Sequence, residues 1–159
     1  MKGNDKLIDV LNQLLADELT AISQYMVHAE MCDRWGYEKL HKAIEKHAMD
    51  EMHHAEWLIE RILFLEGSPI VSKLNPIRIG KTVPDMIQND KQSELEAVKA
   101  YNDAIGLAGD VADESTADLL VKILMMEEDH VDWGEKQEVQ IGHMGLDGYL
   151  SVQIEGASN

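Results

Sequence analysis

One pattern occurs twice in this chain, each time at the same distance behind a matching glutamate, and that double repeat constrains the fold more than any other feature. Glu18-Leu19-Thr20-Ala21-Ile22-Ser23-Gln24-Tyr25 is echoed by Glu94-Leu95-Glu96-Ala97-Val98-Lys99-Ala100-Tyr101. Glu51-Met52-His53-His54-Ala55-Glu56-Trp57 is echoed by Glu127-Glu128-Asp129-His130-Val131-Asp132-Trp133. Glu18 to Glu51 and Glu94 to Glu127 both span 33 positions, with midpoints at 34/35 and 110/111. Residues equidistant from the turn of a helical hairpin lie at similar height, because the rise per residue is constant. The chain therefore reads as two similar hairpins, each setting one Glu level with one Glu-x-x-His pair.

The apolar periodicity supports four long helices, expected at about 6–33, 38–65, 83–108 and 113–141. Trp35-Gly36 and Gly67-Ser68-Pro69 supply turn and stop signals, and Thr82 with Asp85 three residues on resembles a capping box that puts Pro84 in the first turn. Residues 67–82 form a connection far longer than the ~4–6 residues typical of compact domains. Gly142 and Gly145 are expected to end the fourth helix, with a short fifth helix at about 146–153. Two hairpins joined by one long crossover give an all-α, ferritin-like four-helix bundle, and residues 1–159 are expected to form a single domain.

Every helix carries an acid midway along its apolar stripe. Leu11, Leu14, Ile22 and Tyr25 bracket Glu18; Ile44 and Leu58 lie on the face of His47, Glu51 and His54. Ile87, Val98, Tyr101 and Ile105 bracket Asp90 and Glu94, and Leu120, Ile123 and Ile141 bracket Glu127 and His130. Buried acids cost several kcal/mol (roughly) unless something compensates them. Metal is the economical compensation. Four carboxylates and two imidazoles, Glu18, Glu51, His54, Glu94, Glu127 and His130, match the ligand set of di-iron and di-manganese carboxylate bundles. His at i+3 from Glu faces the same side, so both reach one cluster. A third Glu-x-x-His, Glu38 to His41, reads as coincidence: it sits at a helix start and has Asp5, not Glu, 33 positions earlier.

Composition narrows the partners. A net charge of −16 argues against nucleic acid, which needs clustered Lys and Arg, and against anionic membrane surfaces. Cys32 is the only cysteine, so a multi-cysteine metal centre within the chain is excluded. The opening Met1-Lys2-Gly3-Asn4-Asp5 lacks the apolar core of a signal peptide, and no segment has the length and apolarity of a membrane span; a cytoplasmic location is expected.

At these residues the chain resembles the bacterioferritins over nearly its whole length. The resemblance rests on Met1-Lys2-Gly3, Ile59-Glu60-Arg61-Ile62-Leu63-Phe64-Leu65-Glu66-Gly67, the Glu127–Trp133 stretch and Met144-Gly145-Leu146 with Tyr149-Leu150. It implies two iron ions per subunit, with Glu18 and His54 on one, Glu94 and His130 on the other, and Glu51 and Glu127 bridging. It implies a ferroxidase that oxidises Fe(II) with O2 or hydrogen peroxide and deposits Fe(III) mineral in a hollow shell of 24 subunits built from two-fold dimers, with a ferredoxin-type reductant for release. Met52, turned about 100° from Glu51, looks away from the site. The resemblance makes it an axial ligand of haem b shared between two subunits, with Leu19, Ile22, Ser23, Met26 and Met49 as lining. One departure is Lys46, where some bacterioferritins have a His that works with an Asp, here Asp50, to hold an extra inner-surface iron.

Competing readings are weaker. A rubrerythrin-like peroxidase normally carries an iron centre held by four cysteines, which one cysteine cannot supply; a manganese catalase fits the ligands but not the whole-length match. A radical-generating reductase subunit is expected to be longer, and a DNA-protecting mini-ferritin conflicts with the charge. A haem or iron carrier with a structural bundle site predicts slow Fe(II) oxidation or none.

Overall fold

The computed structural model describes residues 1–156. Four helices account for the architecture: α1 (Asp5–Arg34), α2 (Glu38–Phe64), α3 (Val83–Asp110) and α4 (Glu114–Ser151). Pairing is strongest within the hairpins, α1 on α2 and α3 on α4; contacts between α1 and α3 and between α2 and α4 close the bundle. No strand occurs among the described residues, and no helix is long and apolar enough to cross a membrane.

The helix starts are fixed by side chains that satisfy exposed backbone donors. Asn4 accepts from the Leu7 amide at 3.0 Å, and Thr82 accepts from Asp85 at 3.3 Å. Asp113 accepts from the Thr116 amide at 3.0 Å and also receives the Arg61 guanidinium at 2.9 Å, tying the start of α4 to the end of α2. Both hairpin turns use one residue in the left-handed region, Gly36 (φ 84°) and Ala112 (φ 57°). The offset that carries Glu18 onto Glu94 also carries Gly36 onto Ala112, so the repeat extends to the turn conformation.

The left-handed residue after α2 is Glu66 (φ 63°), and Gly67 is needed for space, since a Cβ there would meet Ile8 Cγ2 at 2.7 Å. One detail differs from the sequence expectation. The fourth helix does not stop at 141. It runs through Gly142 and leaves helical geometry at Gly145 (φ 72°, ψ 157°); a further helical stretch follows that break to Ser151. A lone glycine costs a helix only about 1 kcal/mol. Burial of Tyr149, whose hydroxyl donates to Gln137 at 2.7 Å, draws the chain back against the bundle.

The core is split. One apolar cluster includes Leu7, Leu11, Leu58, Ile62, Leu120 and Ile123. The other includes Cys32, Leu40, Ile44, Met86, Ile87 and Tyr149. The repeated acids and histidines occupy the layer between them.

The crossover, which has no regular structure, lies along α1 as a strap. Its backbone amides need partners, and a polar row on α1 supplies them. Ile70 donates to Asn12 Oδ1 (2.8 Å), Asn75 to Thr20 Oγ1 (2.8 Å), Arg78 to Gln24 Oε1 (3.0 Å) and Gly80 to His28 Nε2 (2.9 Å). Gly80 passes so close to α3 that a Cβ would sit 2.4 Å from the Met86 amide nitrogen.

The α3–α4 turn gives a test with opposite signs at adjacent residues. Asp113→Ala removes a cap and the partner of half-buried Arg61, and is expected to cost about 2 kcal/mol. Ala112→Gly relieves the left-handed strain and is expected to stabilise by about 1 kcal/mol. Thermal unfolding of the two variants measures both.

Candidate metal centre

The six repeated residues converge in the layer between the two apolar clusters. Glu18, Glu51, His54, Glu94, Glu127 and His130 are each at most 5% exposed. They form two groups, each with one ligand-capable atom per residue within 4.8 Å of the others: Glu18, Glu51, His54 and Glu127, and Glu51, Glu94, Glu127 and His130. Glu51 and Glu127 belong to both. Helix geometry explains the convergence: each Glu-x-x-His sits on one face of α2 or α4, and the equal 33-residue spans bring the α1 and α3 glutamates to the same level.

The distances are those of groups packed around a common point. His54 Nδ1 lies 2.7 Å from Glu127, 3.2 Å from Glu51 and 3.5 Å from Glu18. His130 Nδ1 lies 2.9 Å from Glu51 and 3.3 Å from Glu94. Yet Glu51 Oε1, Glu127 Oε1 and His130 Nδ1 have no partner in hydrogen-bond geometry. Buried polar atoms without partners are costly, and three of them facing one gap are a donor set left for a cation. Carboxylate oxygen with imidazole nitrogen suits iron or manganese.

A second ring of residues orients these groups. Tyr25 donates to Glu94, and Tyr101 donates to Glu18 at 2.5 Å, so the tyrosine of each hairpin holds the glutamate of the other. Asp50 Oδ2 lies 3.0 Å from His130 Nε2, leaving Nδ1 for the centre, as carboxylates commonly do behind a metal-binding imidazole. Asp50 also pairs with Lys46 at 3.1 Å.

Electrostatics without metal follow from burial and crowding. Burial, reinforced by neighbouring carboxylates, pushes Glu51 and Glu127 well above the ordinary carboxylate range. Burial would lower the histidines, but contacts with Glu127 and Glu18 raise His54 to about 9, and contacts with Asp50 and Glu94 raise His130 to about 10. Burial also opposes ionisation of Glu94, yet hydrogen bonds involving Glu127, His130 and Tyr25 bring it down to about 2. Protons therefore neutralise the layer when cations do not.

Three buried polar residues lie beside the centre and outside it. Asp90, on the inward stripe of α3, turns to His28 Nδ1 (2.9 Å) and Gln24 Nε2 (2.8 Å) and helps hold the crossover. His28 falls three residues after Tyr25, on the same stripe, and that spacing was the available signal. His47 does not join the ligand groups; its ring packs 4.3 Å from that of His130 and 4.8 Å from that of Trp133. Burial and the neighbouring His130 depress it to about 3, so it is a neutral ring with Nδ1 unpartnered. His41, of the third Glu-x-x-His, lies apart from this layer beside Glu30 and Glu45.

Comparison with known proteins identifies the family. Residues 8–142 match the family model described as "Ferritin-like domain". The chain is 44% identical over 155 residues to a "Bacterial ferritin" of Synechocystis sp., covering 97% of this chain and 99% of that one. It is 40% identical to a "Bacterioferritin" of Streptomyces coelicolor (98% and 93% covered) and 39% identical to one of Rhodobacter capsulatus (94% and 92%). The chain belongs to the bacterioferritin family. Met52, the residue through which the bacterioferritin resemblance implies haem, is half-buried on α2, while Met49 on α2 (47% exposed) and Met26 on α1 (52% exposed) leave apolar surface.

The protonation pattern predicts how this site takes up cations. Metal ligands must be deprotonated, so each divalent pair bound should displace protons from Glu51, Glu127, His54 and His130. Affinity should rise with pH towards the raised histidine values and fall as pH drops. Anaerobic Co(II) addition in weakly buffered indicator solution reads the release directly; binding without proton release would contradict this protonation pattern.

Proposed function

We propose that this chain is an iron-storage subunit whose bundle centre is a di-iron ferroxidase, oxidising Fe(II) with O2 or hydrogen peroxide for deposition as Fe(III) mineral inside an oligomeric shell. The observation that carries the proposal is the pair of overlapping ligand groups sharing Glu51 and Glu127. In this reading Glu18 and His54 hold one iron, Glu94 and His130 the other, and Glu51 and Glu127 serve both. Two adjacent irons supply a path for two electrons to one oxidant.

The protein's own groups shape that chemistry. The carboxylates favour the higher charge of Fe(III), and the apolar clusters on either side strengthen that effect by excluding water. Tyr25 and Tyr101 keep Glu94 and Glu18 in orientation through hydroxyl donors. Burial and the surrounding carboxylates hold both phenols well above their ordinary pKa, so they remain protonated donors. Asp50 fixes the ring of His130.

The finer assignments belong to the same proposal. Met52 from each of two subunits would ligate one haem b, a soft thioether ligation suited to haem iron. The shell would hold 24 subunits built from two-fold dimers in the cytoplasm, and a ferredoxin-type donor would supply electrons for release. Residues 1–159 would act as one domain, with the charge of −16 attracting cations.

Stopped-flow oxidation tests the centre. Fe(II) loaded anaerobically and mixed with O2 should give a rapid ferric absorbance phase saturating at about two irons per chain, the capacity of a paired bundle site. Glu94→Ala or His130→Ala should abolish that phase; rapid oxidation persisting in either variant would overturn the assignment. Met52→Leu should remove haem absorbance while leaving assembly and Fe(II) oxidation intact, and full haem occupancy in that variant would overturn the role of Met52.

A further inference from the structure

The third Glu-x-x-His is not used as its pattern suggests, and the structure places its histidine among other partners. Glu38 turns to the C-terminal segment, where its Oε2 accepts from the Glu155 amide at 3.3 Å. His41 instead meets Glu45, one turn on in α2, and Glu30 of α1, and one ligand atom from each lies within 4.8 Å of the other two. Helix geometry explains the meeting. His41 and Glu45 share a face at i and i+4, while Glu30 and His41 stand nearly equidistant from the Trp35-Gly36 turn and so at similar height. Unlike the centre, this group is not repeated. The offset that carries Glu18 onto Glu94 carries these three onto Gly106, Ala117 and Val121, so the hairpin fold does not require them.

The imidazole is set for coordination. Its Nδ1 lies 2.9 Å from the Ala29 carbonyl oxygen, which can only accept, so Nδ1 carries the proton. That bond fixes the ring and leaves the Nε2 lone pair facing the carboxylates, as a carbonyl behind a metal-binding histidine commonly does. Nε2 is 3.5 Å from Glu45 Oε2, and the His41 side chain is only 19% exposed. The two acids lack compensation. Among the described residues neither Glu30 nor Glu45 has a Lys or Arg at ion-pair distance, although Arg34 lies one turn beyond Glu30 in α1. A partly shielded nitrogen donor beneath two solvent-facing carboxylates calls for a cation.

We propose that Glu30, His41 and Glu45 form a surface site for one divalent transition-metal ion of the zinc class, separate from the bundle centre. One imidazole and two carboxylates give three protein ligands and leave room for water, as open zinc sites do. The imidazole favours zinc, cobalt or ferrous iron over magnesium and calcium, which take oxygen ligands. Because the ligands come from both helices, a bound ion cross-links α1 to α2 near their turn. Glu30 lies one turn from Met26 and Glu45 one turn from Met49, so the link borders the apolar surface that those methionines leave. The site stands independently of the iron reading of the centre.

Equilibrium dialysis of the metal-free protein against micromolar Zn(II), with Zn(II) counted per chain, tests the site. The unaltered protein should hold one more Zn(II) per chain than the His41→Gln variant. Glu30→Gln and Glu45→Gln should each weaken that additional ion about tenfold or more. Neither touches the bond from His41 to Ala29, so they test the site even if His41→Gln disturbs the hairpin. Rapid Fe(II) oxidation should persist in all three variants, and millimolar Mg(II) should not displace the additional ion. His130→Ala separates the two sites, since it should lose Zn(II) from the bundle and keep the ion at His41. An unchanged Zn(II) count in His41→Gln, or unchanged affinity in both Glu30→Gln and Glu45→Gln, would overturn the site. Displacement by Mg(II) would overturn ligation by the imidazole.

Discussion

The structure depends on one constraint: four carboxylates buried in a single layer must be neutralised there. Their mutual repulsion at low dielectric would be prohibitive if all were ionised without cations. The bundle meets the constraint with two histidines from the same helix faces, two tyrosine hydroxyls and bound protons. The apolar clusters above and below the layer supply the burial that holds the helices together. The polar layer then specifies register, because a slip of one helix would leave a carboxylate without its partner from the other hairpin. The cross-hairpin bonds, Tyr25 to Glu94 and Tyr101 to Glu18, exist only when the two halves are aligned by their repeat.

The convergence of the six repeated acids and histidines was legible in the sequence because every element of it is local and periodic. Glu and His at i and i+3 share a face whatever the surroundings, and equal spans about a turn set equal heights. The four helices were legible for the same reason, as was the Thr82 cap. The C-terminal boundary was legible in part: the helix passes Gly142, where a lone glycine costs only about 1 kcal/mol, and breaks at Gly145. Gly67 has the look of a stop signal, but its role is steric and depends on Ile8, a residue remote in sequence.

The surroundings of the centre were largely hidden. Asp90 was visible as an acid on the inward stripe of α3, but its partners, His28 and Gln24, come from α1 and are defined only once the bundle is assembled. His47 shares a face with Glu51 and still stands aside, because its ring packs between those of His130 and Trp133. The strap was recognisable only as a long connection. What makes it ordered is a row of α1 side chains, Asn12, Thr20, Gln24 and His28, that accept hydrogen bonds from its backbone amides. That row looks like an ordinary solvated helix face until the strap is laid on it. The strap also forms one wall of the cavity that opens onto the centre.

The central claim is that the layer is a two-metal site with shared carboxylates, and the most direct measurement is anomalous X-ray scattering at the iron edge from crystals loaded anaerobically with Fe(II). The account predicts two resolved peaks in each subunit, one among Glu18, Glu51, His54 and Glu127 and the other among Glu51, Glu94, Glu127 and His130. A single peak in the layer, or iron bound only elsewhere, would contradict it.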